Sequence, residues 1–108
     1  MVEVGMGVEN VADGESELVH LVKDSLVRAT EKLSPGAKAV PFLTVGATDA
    51  RFFRRVGATA YGYGLFSNHI DFDAFSTMFH GDNERVDQES LRLSTELWQA
   101  VAHDLLVA

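Results

Sequence analysis

The strongest constraint on the fold of this chain is a pair of amphipathic helical patterns, one near each end. In residues 15–33, apolar side chains recur every three or four positions and so share one helix face. These side chains are Leu18, Val22, Leu26, Ala29 and Leu33. Residues 88–106 predict a second helix, and Asp87 is a suitable N-cap for it. Its expected buried face comprises Leu91, Ser94, Leu97, Trp98, Val101 and Leu105.

Two segments between these helices are predicted strands. Residues 38–45 and 59–66 carry the β-branched and aromatic residues typical of strands. A short helix over 49–56 separates them, with Thr48 as its expected N-cap and Gly57 just after its end. A strand, helix and strand within about 28 residues have the size of a βαβ crossover, which favours parallel pairing. The predicted fold class is therefore α/β, with the long helices packed against parallel strands.

Composition limits the classes of partner. The chain has 108 residues, which is one domain at most, and 16 acidic residues against 9 basic ones give a net charge of −7. This balance disfavours binding to nucleic acid or to an anionic membrane. The chain has no cysteine, no apolar run long enough to span a bilayer, and no secretory signal pattern. We expect a cytoplasmic protein.

The densest polar cluster is the run from His80 to Arg85, His-Gly-Asp-Asn-Glu-Arg. It lies in an irregular segment over 67–86 that is long for so small a domain, which makes it a candidate functional loop. A loop histidine that follows an apolar approach is well placed to bind a metal, and nearby carboxylates can orient its ring. On local grounds alone, the same residues also fit an ordinary turn before a helix.

A second cluster is the turn from Gly46 to Arg51, Gly-Ala-Thr-Asp-Ala-Arg. A glycine turn between the end of a strand and the start of a helix presents backbone N–H groups, and such turns bind anions and substrates in α/β sheets. The alternative is that Thr48 and Asp49 only cap the helix. A third group, His69, Asp71 and Asp73, would meet at a metal only if its segment were extended; a solvated loop is the simpler interpretation.

Three stretches of the chain, in this order, resemble a known family. Pro41 to Phe52 resembles the "P…l..g.TDaR.f" segment of the zinc metallopeptidases that include aminoacylase-1, carboxypeptidase G and succinyl-diaminopimelate desuccinylase. Gly57 to Gly64 resembles the "G.p.ygf" segment that follows, and Phe79 to Val86 resembles the family's "H…dEr" element. The resemblance extends over residues 15–106.

The resemblance implies a zinc-dependent hydrolase that cleaves amide bonds of N-acyl amino acids, dipeptides or similar small molecules. It implies a three-layer α/β/α catalytic domain in which His80 is the last ligand of a two-zinc centre. Gly46, Ala47 and Thr48 would line the substrate cleft. The remaining matched positions are expected to be structural or to orient the ligands, and they are Asp49, Arg51, Asp82, Glu84 and Arg85.

The chain also departs from the family's pattern. Most zinc ligands and the general base, one of an adjacent glutamate pair, belong to an N-terminal catalytic segment of the family, and this sequence contains no Glu-Glu pair. We therefore expect residues 15–108 to be the C-terminal part of the catalytic domain and residues 1–14 to be a linker or the tail of an inserted domain. The expected partners are the missing N-terminal segment and inserted domain.

Two expectations follow for the isolated chain. It should neither hold stoichiometric zinc nor hydrolyse the substrates, because a zinc site needs three or four protein ligands and the resemblance supplies one. It should also form homo-oligomers through the surface that the missing segment would cover. The alternative is a small acidic α/β protein-interaction module without catalysis.

Overall fold

The computed structural model describes residues 5–6, 17–41 and 46–107. Its helices are α1 (Glu17–Leu33), α2 (Ala50–Arg55), α3 (Phe72–Thr77) and α4 (Gln88–Leu106). Two short strands, β1 (Gly5–Met6) and β2 (Val40–Pro41), pair in parallel, with Gly5 opposite Val40 and Met6 opposite Pro41. Helices make up more than half of the described chain, which is therefore mostly helical.

The core lies between α1 and α4. Both helices follow the sequence prediction closely, α4 over the whole predicted range of 88–106 and α1 from Glu17, since residues 15 and 16 lie outside the described residues. Leu65, from the segment that precedes α3, completes the core and is fully buried. The buried apolar side chains are Leu26, Ala29, Leu65, Leu93, Leu97 and Val101. A core this small leaves a narrow margin of stability.

The buried faces of both helices differ in part from the predicted ones. Leu97 and Val101 are buried as expected, but Leu91 is 59% exposed and Trp98 is 49% exposed. Their places are taken by Ser90 and Leu93, so the buried face of α4 is rotated toward Ser90. Burial of Ser90 is accompanied by hydrogen bonds, because its hydroxyl donates to Asp87 and accepts from the backbone N–H of Ser67.

On α1, all the buried residues lie in the second half of the helix. They are Ser25, Leu26, Ala29 and Thr30. Leu18 and Val22, which the sequence places on the buried face, are exposed. Arg28 of α1 forms an ion pair with Asp104 near the end of α4 (2.8 Å). The first turns of α1 thus extend beyond the packed region.

The predicted parallel pair of strands, and with it the α/β fold class, is wrong. Residues 59–66 form no strand, and of the first predicted strand only Val40–Pro41 is paired, while residues 42–45 lie outside the described residues. In place of hydrogen bonds to a neighbouring strand, the backbone at Leu65 and Ser67 is bound by side chains of α4. Ser94 Oγ donates to the carbonyl of Leu65 (3.1 Å), and the N–H of Ser67 donates to Ser90 Oγ (2.9 Å). Strand propensity depends on such surroundings.

The region between the long helices contains two short ones. The predicted helix over 49–56 is confirmed as α2, and Gly57 follows it in the left-handed conformation (φ 89°) that favours glycine. Thr48 is not its N-cap; Asp49 holds that position without a side-chain hydrogen bond. The segment predicted to be irregular over 67–86 contains α3, which sequence reasoning missed. No helix in the described ranges is long and apolar enough to cross a membrane.

Candidate functional site

His80 lies on a tight, exposed turn between α3 and α4. Its backbone has a positive φ (59°), as does that of Asn83 (61°), and both values are uncommon for residues other than glycine. The N–H of Gly81 donates to the carbonyl of Met78 (3.0 Å), and the N–H of His80 donates to Oε2 of Glu84 (3.2 Å). These bonds reverse the chain at His80 and hold its imidazole at the surface.

The other polar residues of this turn have supporting contacts or face solvent. Glu84 accepts from the backbone of His80, and Nη1 of Arg85 donates to the carbonyl of Asn83 (3.1 Å). Asp82 is exposed. Within the described ranges, no hydrogen bond engages the His80 imidazole, and no three histidine, aspartate or glutamate side chains are grouped closely enough to hold a metal. The described residues thus hold no preformed metal site at this turn, and a role for His80 as a metal ligand stays a prediction.

The Gly46–Thr48 turn is also exposed, and Gly46 adopts a positive φ of 125°. Asp49 and Arg51, which follow it, are at the surface as well, and the Arg51 guanidinium lies over the ring of Phe52 (4.7 Å). The hydrogen bonds of the described chain do not link this turn to His80. The two turns are thus both exposed and share no hydrogen bond within the described residues, and their predicted proximity stays a prediction.

A polar network that the sequence analysis missed connects the start of α4 to Ser67. The Ser90 N–H and the Ser67 hydroxyl both donate to Asp87 Oδ1 (2.7 Å each), and the Ser90 hydroxyl donates to Asp87 Oδ2 (2.6 Å). The predicted cap by Asp87 is thus confirmed. Only the cap is visible in the sequence, because Ser67 lies 20 residues away from Asp87.

These hydrogen bonds keep the Asp87 carboxylate ionised. The pKa of Asp87 is lowered from 3.8 to about 2, chiefly by the bond from the Ser90 hydroxyl and further by the bonds from the Ser67 hydroxyl and the Ser90 backbone, although partial burial opposes the shift. His69 Nδ1 lies 3.7 Å from Asp87 Oδ1. His69, Asp71 and Asp73 do not converge on a metal site, since Asp71 precedes α3 and Asp73 lies in its first turn.

The network forms one side of a cavity of about 250 Å³. Phe66, Phe72 and Phe75 form its apolar wall, and the Phe66 and Phe75 rings lie 4.8 Å apart between centroids. Phe79 contacts Phe75 edge-on (4.9 Å). This aromatic cluster packs α3 against Phe66, which precedes the helix, and against Phe79, which lies immediately ahead of His80.

Comparison with known proteins adds nothing to these residues. No family model, no curated protein and no solved structure matches the chain.

Proposed function

We propose that this chain contributes one metal ligand, His80, to a zinc-dependent hydrolase of amide bonds in small substrates, acting in the cytoplasm. The observation that carries the proposal is the His80 turn, in which a residue with a left-handed backbone is exposed on the segment that leads to the capped helix α4. Unusual backbone conformations in non-glycine residues cluster at functional sites, so the outlier motivates a functional hypothesis.

The order of the sequence motifs also supports the proposal. The Gly46–Thr48 turn precedes a short helix, and the His80 turn follows in the order that the family resemblance requires. In this interpretation Gly46, Ala47 and Thr48 contact the substrate, and Glu84 holds the backbone of His80. Asp82, Asp49, Arg51 and Arg85 would have structural roles.

The described residues fit one ligand position, so the remaining ligands and the general base are proposed to come from a further segment. Bound zinc would supply an activated water and polarise the scissile carbonyl. His80 would hold the metal through one ring nitrogen. The other ring nitrogen would then need a hydrogen-bond acceptor, for which Asp82 is the nearest carboxylate in sequence.

Metal analysis and a turnover assay test the proposal. The 108 residues are expressed alone and, separately, together with whatever the coding sequence places upstream. We expect the 108 residues to retain no stoichiometric zinc after dialysis and to leave N-acyl amino acids and dipeptides intact. We expect the longer protein to bind zinc and to hydrolyse such a substrate until a chelator is added. Turnover by the 108 residues alone, or a longer protein that lacks bound metal, contradicts the proposal.

The second candidate is an interaction module without catalysis. It is favoured by the large apolar side chains that remain exposed on the helices, among them Leu18, Leu91 and Trp98. The same experiment separates the two candidates, because a module has no chelator-sensitive hydrolysis in either form.

A further inference from the structure

The cavity beside the start of α4 combines aromatic rings with carboxylates. Phe66, Phe72 and Phe75 line it, and the Phe75 ring lies 4.8 Å from that of Phe66 and 6.4 Å from that of Phe72 between centroids. Asp71 and Asp87 line it as well. Its volume of about 250 Å³ lies just below the range of about 300–1,000 Å³ typical of ligand pockets, so it suits a small molecule.

The charged groups of the cavity are all acidic. None of the described residues that line it is a lysine, an arginine or a histidine. The Asp87 side chain is 17% exposed, and its pKa of about 2 leaves it ionised at neutral pH. His69 has Nδ1 3.7 Å from Asp87 Oδ1 but does not line the cavity. A carboxylate that is shielded from water attracts a cation more strongly than an exposed one, because the local dielectric constant is lower. The cavity therefore favours a cationic ligand.

The hydrogen bonds of Asp87 decide which kind of cation fits. Its two oxygens accept three bonds, one from the Ser67 hydroxyl and two from the hydroxyl and the N–H of Ser90. A carboxylate has about four acceptor positions, so an ammonium ion with several N–H groups finds few of them open on Asp87. The three donors are neutral and leave the negative charge in place. A methylated ammonium needs that charge and an aromatic wall, but no hydrogen-bond acceptor.

We infer that this cavity binds a free small molecule whose cationic group is a trimethylammonium. Its methyl groups contact the phenylalanine rings, since an aromatic face attracts a cation within about 6 Å of the ring centroid. Asp71 and Asp87 balance its charge. Phenylalanine binds cations less strongly than tryptophan, and Phe72 is 38% exposed, so the dissociation constant is about 1–10 mM. The site does not include His80, so its failure and the failure of the hydrolase proposal are separate outcomes.

Titration of the isotope-labelled 108-residue chain with choline, followed by nuclear magnetic resonance, tests the binding. Choline chloride replaces sodium chloride at constant ionic strength, so that the changes do not arise from salt. Choline should shift the amide signals of residues 66–75 and 86–90 to saturation and leave those of α1 in place. The neutral isostere of choline, with carbon in place of nitrogen, should bind at least about tenfold more weakly, because it keeps the shape and loses the charge.

Two substitutions remove charge from the cavity. Asp87→Asn should weaken choline binding at least about tenfold, and asparagine caps a helix as well as aspartate does. Asp71 makes no side-chain cap bond, so Asp71→Asn tests the charge without disturbing α3 and should weaken binding about threefold. The control is Asp24→Asn, which removes the same charge from the exposed surface of α1 and should leave binding unchanged.

A third substitution removes one aromatic ring. Phe72→Leu keeps an apolar side chain in the cavity but loses the π face, and it should weaken choline binding about threefold while binding of the neutral isostere changes less. Phe53→Leu is the matched control, because Phe53 is exposed (61%) and lies on α2, outside the cavity. It should leave the affinity for choline unchanged.

Vesicles of phosphatidylcholine separate a free ligand from a lipid surface, because they present the same trimethylammonium group. We expect no cosedimentation of the chain with them, since the phosphate of the headgroup would lie beside the carboxylates of Asp71 and Asp87. Cosedimentation with these vesicles overturns the assignment to a free small molecule. An equal affinity for choline and its neutral isostere, or equal effects of Asp71→Asn and Asp24→Asn, overturns the inference as a whole.

Discussion

The helix pair α1 and α4 and the region between them, residues 46–86, are built on different principles. The pair is held by buried leucine, alanine and valine side chains. The region between contributes Leu65 to that core, but its short helices α2 and α3 contain no buried residue. The polar turns proposed to act in chemistry lie in this second region. Stability and candidate function are thus carried by different parts of the molecule.

The largest expected effect is a core truncation in the helix pair. Leu97 is fully buried, so Leu97→Ala should lower the free energy of unfolding by about 2–5 kcal/mol. Phe79→Ala, in the region between, should cost less than about 1 kcal/mol because the ring is 54% exposed and, among the described residues, has one aromatic contact, with Phe75. Urea unfolding followed by circular dichroism measures both. Equal losses of stability from the two substitutions would contradict the difference proposed between the two regions.

The next effect compares the starts of two helices. Asp87 caps α4 through its side chain, whereas Asp71 precedes α3 without a side-chain cap bond. Asp87→Ala should therefore cost about 0.5–2 kcal/mol, and Asp71→Ala should cost clearly less. The same unfolding experiment at neutral pH measures both. A larger loss from Asp71→Ala contradicts the assignment of the cap.

Asp87 also makes a pH-dependent contribution with a defined sign. Its pKa in the folded state, about 2, lies below the value of 3.8 expected when unfolded. Its contribution is therefore complete above about pH 4 and is lost as the pH falls toward 2. The wild-type protein should lose more stability across this interval than Asp87→Ala. Parallel pH profiles of the two proteins would contradict the low pKa.

Substitution of a histidine by glycine should have a smaller effect on the free energy of unfolding, with opposite signs in the two regions. His80 has a positive φ, so His80→Gly relieves backbone strain and should raise the free energy of unfolding by about 0.5–1 kcal/mol. His103 lies in the last turn of α4, where the same substitution should instead lower it by a similar amount. Chemical denaturation of both variants measures the difference. A loss of stability from His80→Gly would show that the imidazole has a structural role.

The smallest effect is at the surface of α4. Arg92→Gln removes ion pairs with Glu89 and Glu96, all of them exposed. The change in stability should lie near the limit of measurement at low salt and should vanish in about 1 M sodium chloride, because salt screens exposed charges. Thermal unfolding at the two salt concentrations measures it. A loss that persists at high salt would indicate a contact other than electrostatic.

The sequence predicted the helices well and the strands badly, for a physical reason. Helix periodicity and the Asp87 cap are local signals, readable within one segment. A strand needs a partner strand, whereas the backbone of Leu65 and Ser67 is hydrogen-bonded to serine side chains of α4. The sequence does not show which segment these serines contact. Ser90 also explains the wrong buried face, because periodicity counts apolar side chains and overlooks a buried serine that is hydrogen-bonded.

The candidate site was predicted in the same uneven way. The exposed turn at Gly46 lies between β2 and α2, and the exposed turn at His80 lies between α3 and α4, as glycine and polar runs indicate. The predicted proximity of the two turns stays a prediction, and it has lost part of its basis because residues 59–66 form no strand. In the network of Ser67, Asp87 and Ser90, the local Asp87 cap was predicted, but the bond from Ser67 spans 20 residues and no local pattern could have predicted it.

The most direct test of the proposed division between stability and function is His80→Ala, set against His103→Ala in the longer protein. Both histidines are exposed, and each variant is assayed for chelator-sensitive hydrolysis and for the free energy of unfolding. We predict that His80→Ala abolishes hydrolysis and lowers the zinc content while stability stays within about 0.5 kcal/mol. His103→Ala should leave hydrolysis and zinc content unchanged. Hydrolysis that survives His80→Ala would contradict the proposed role of His80.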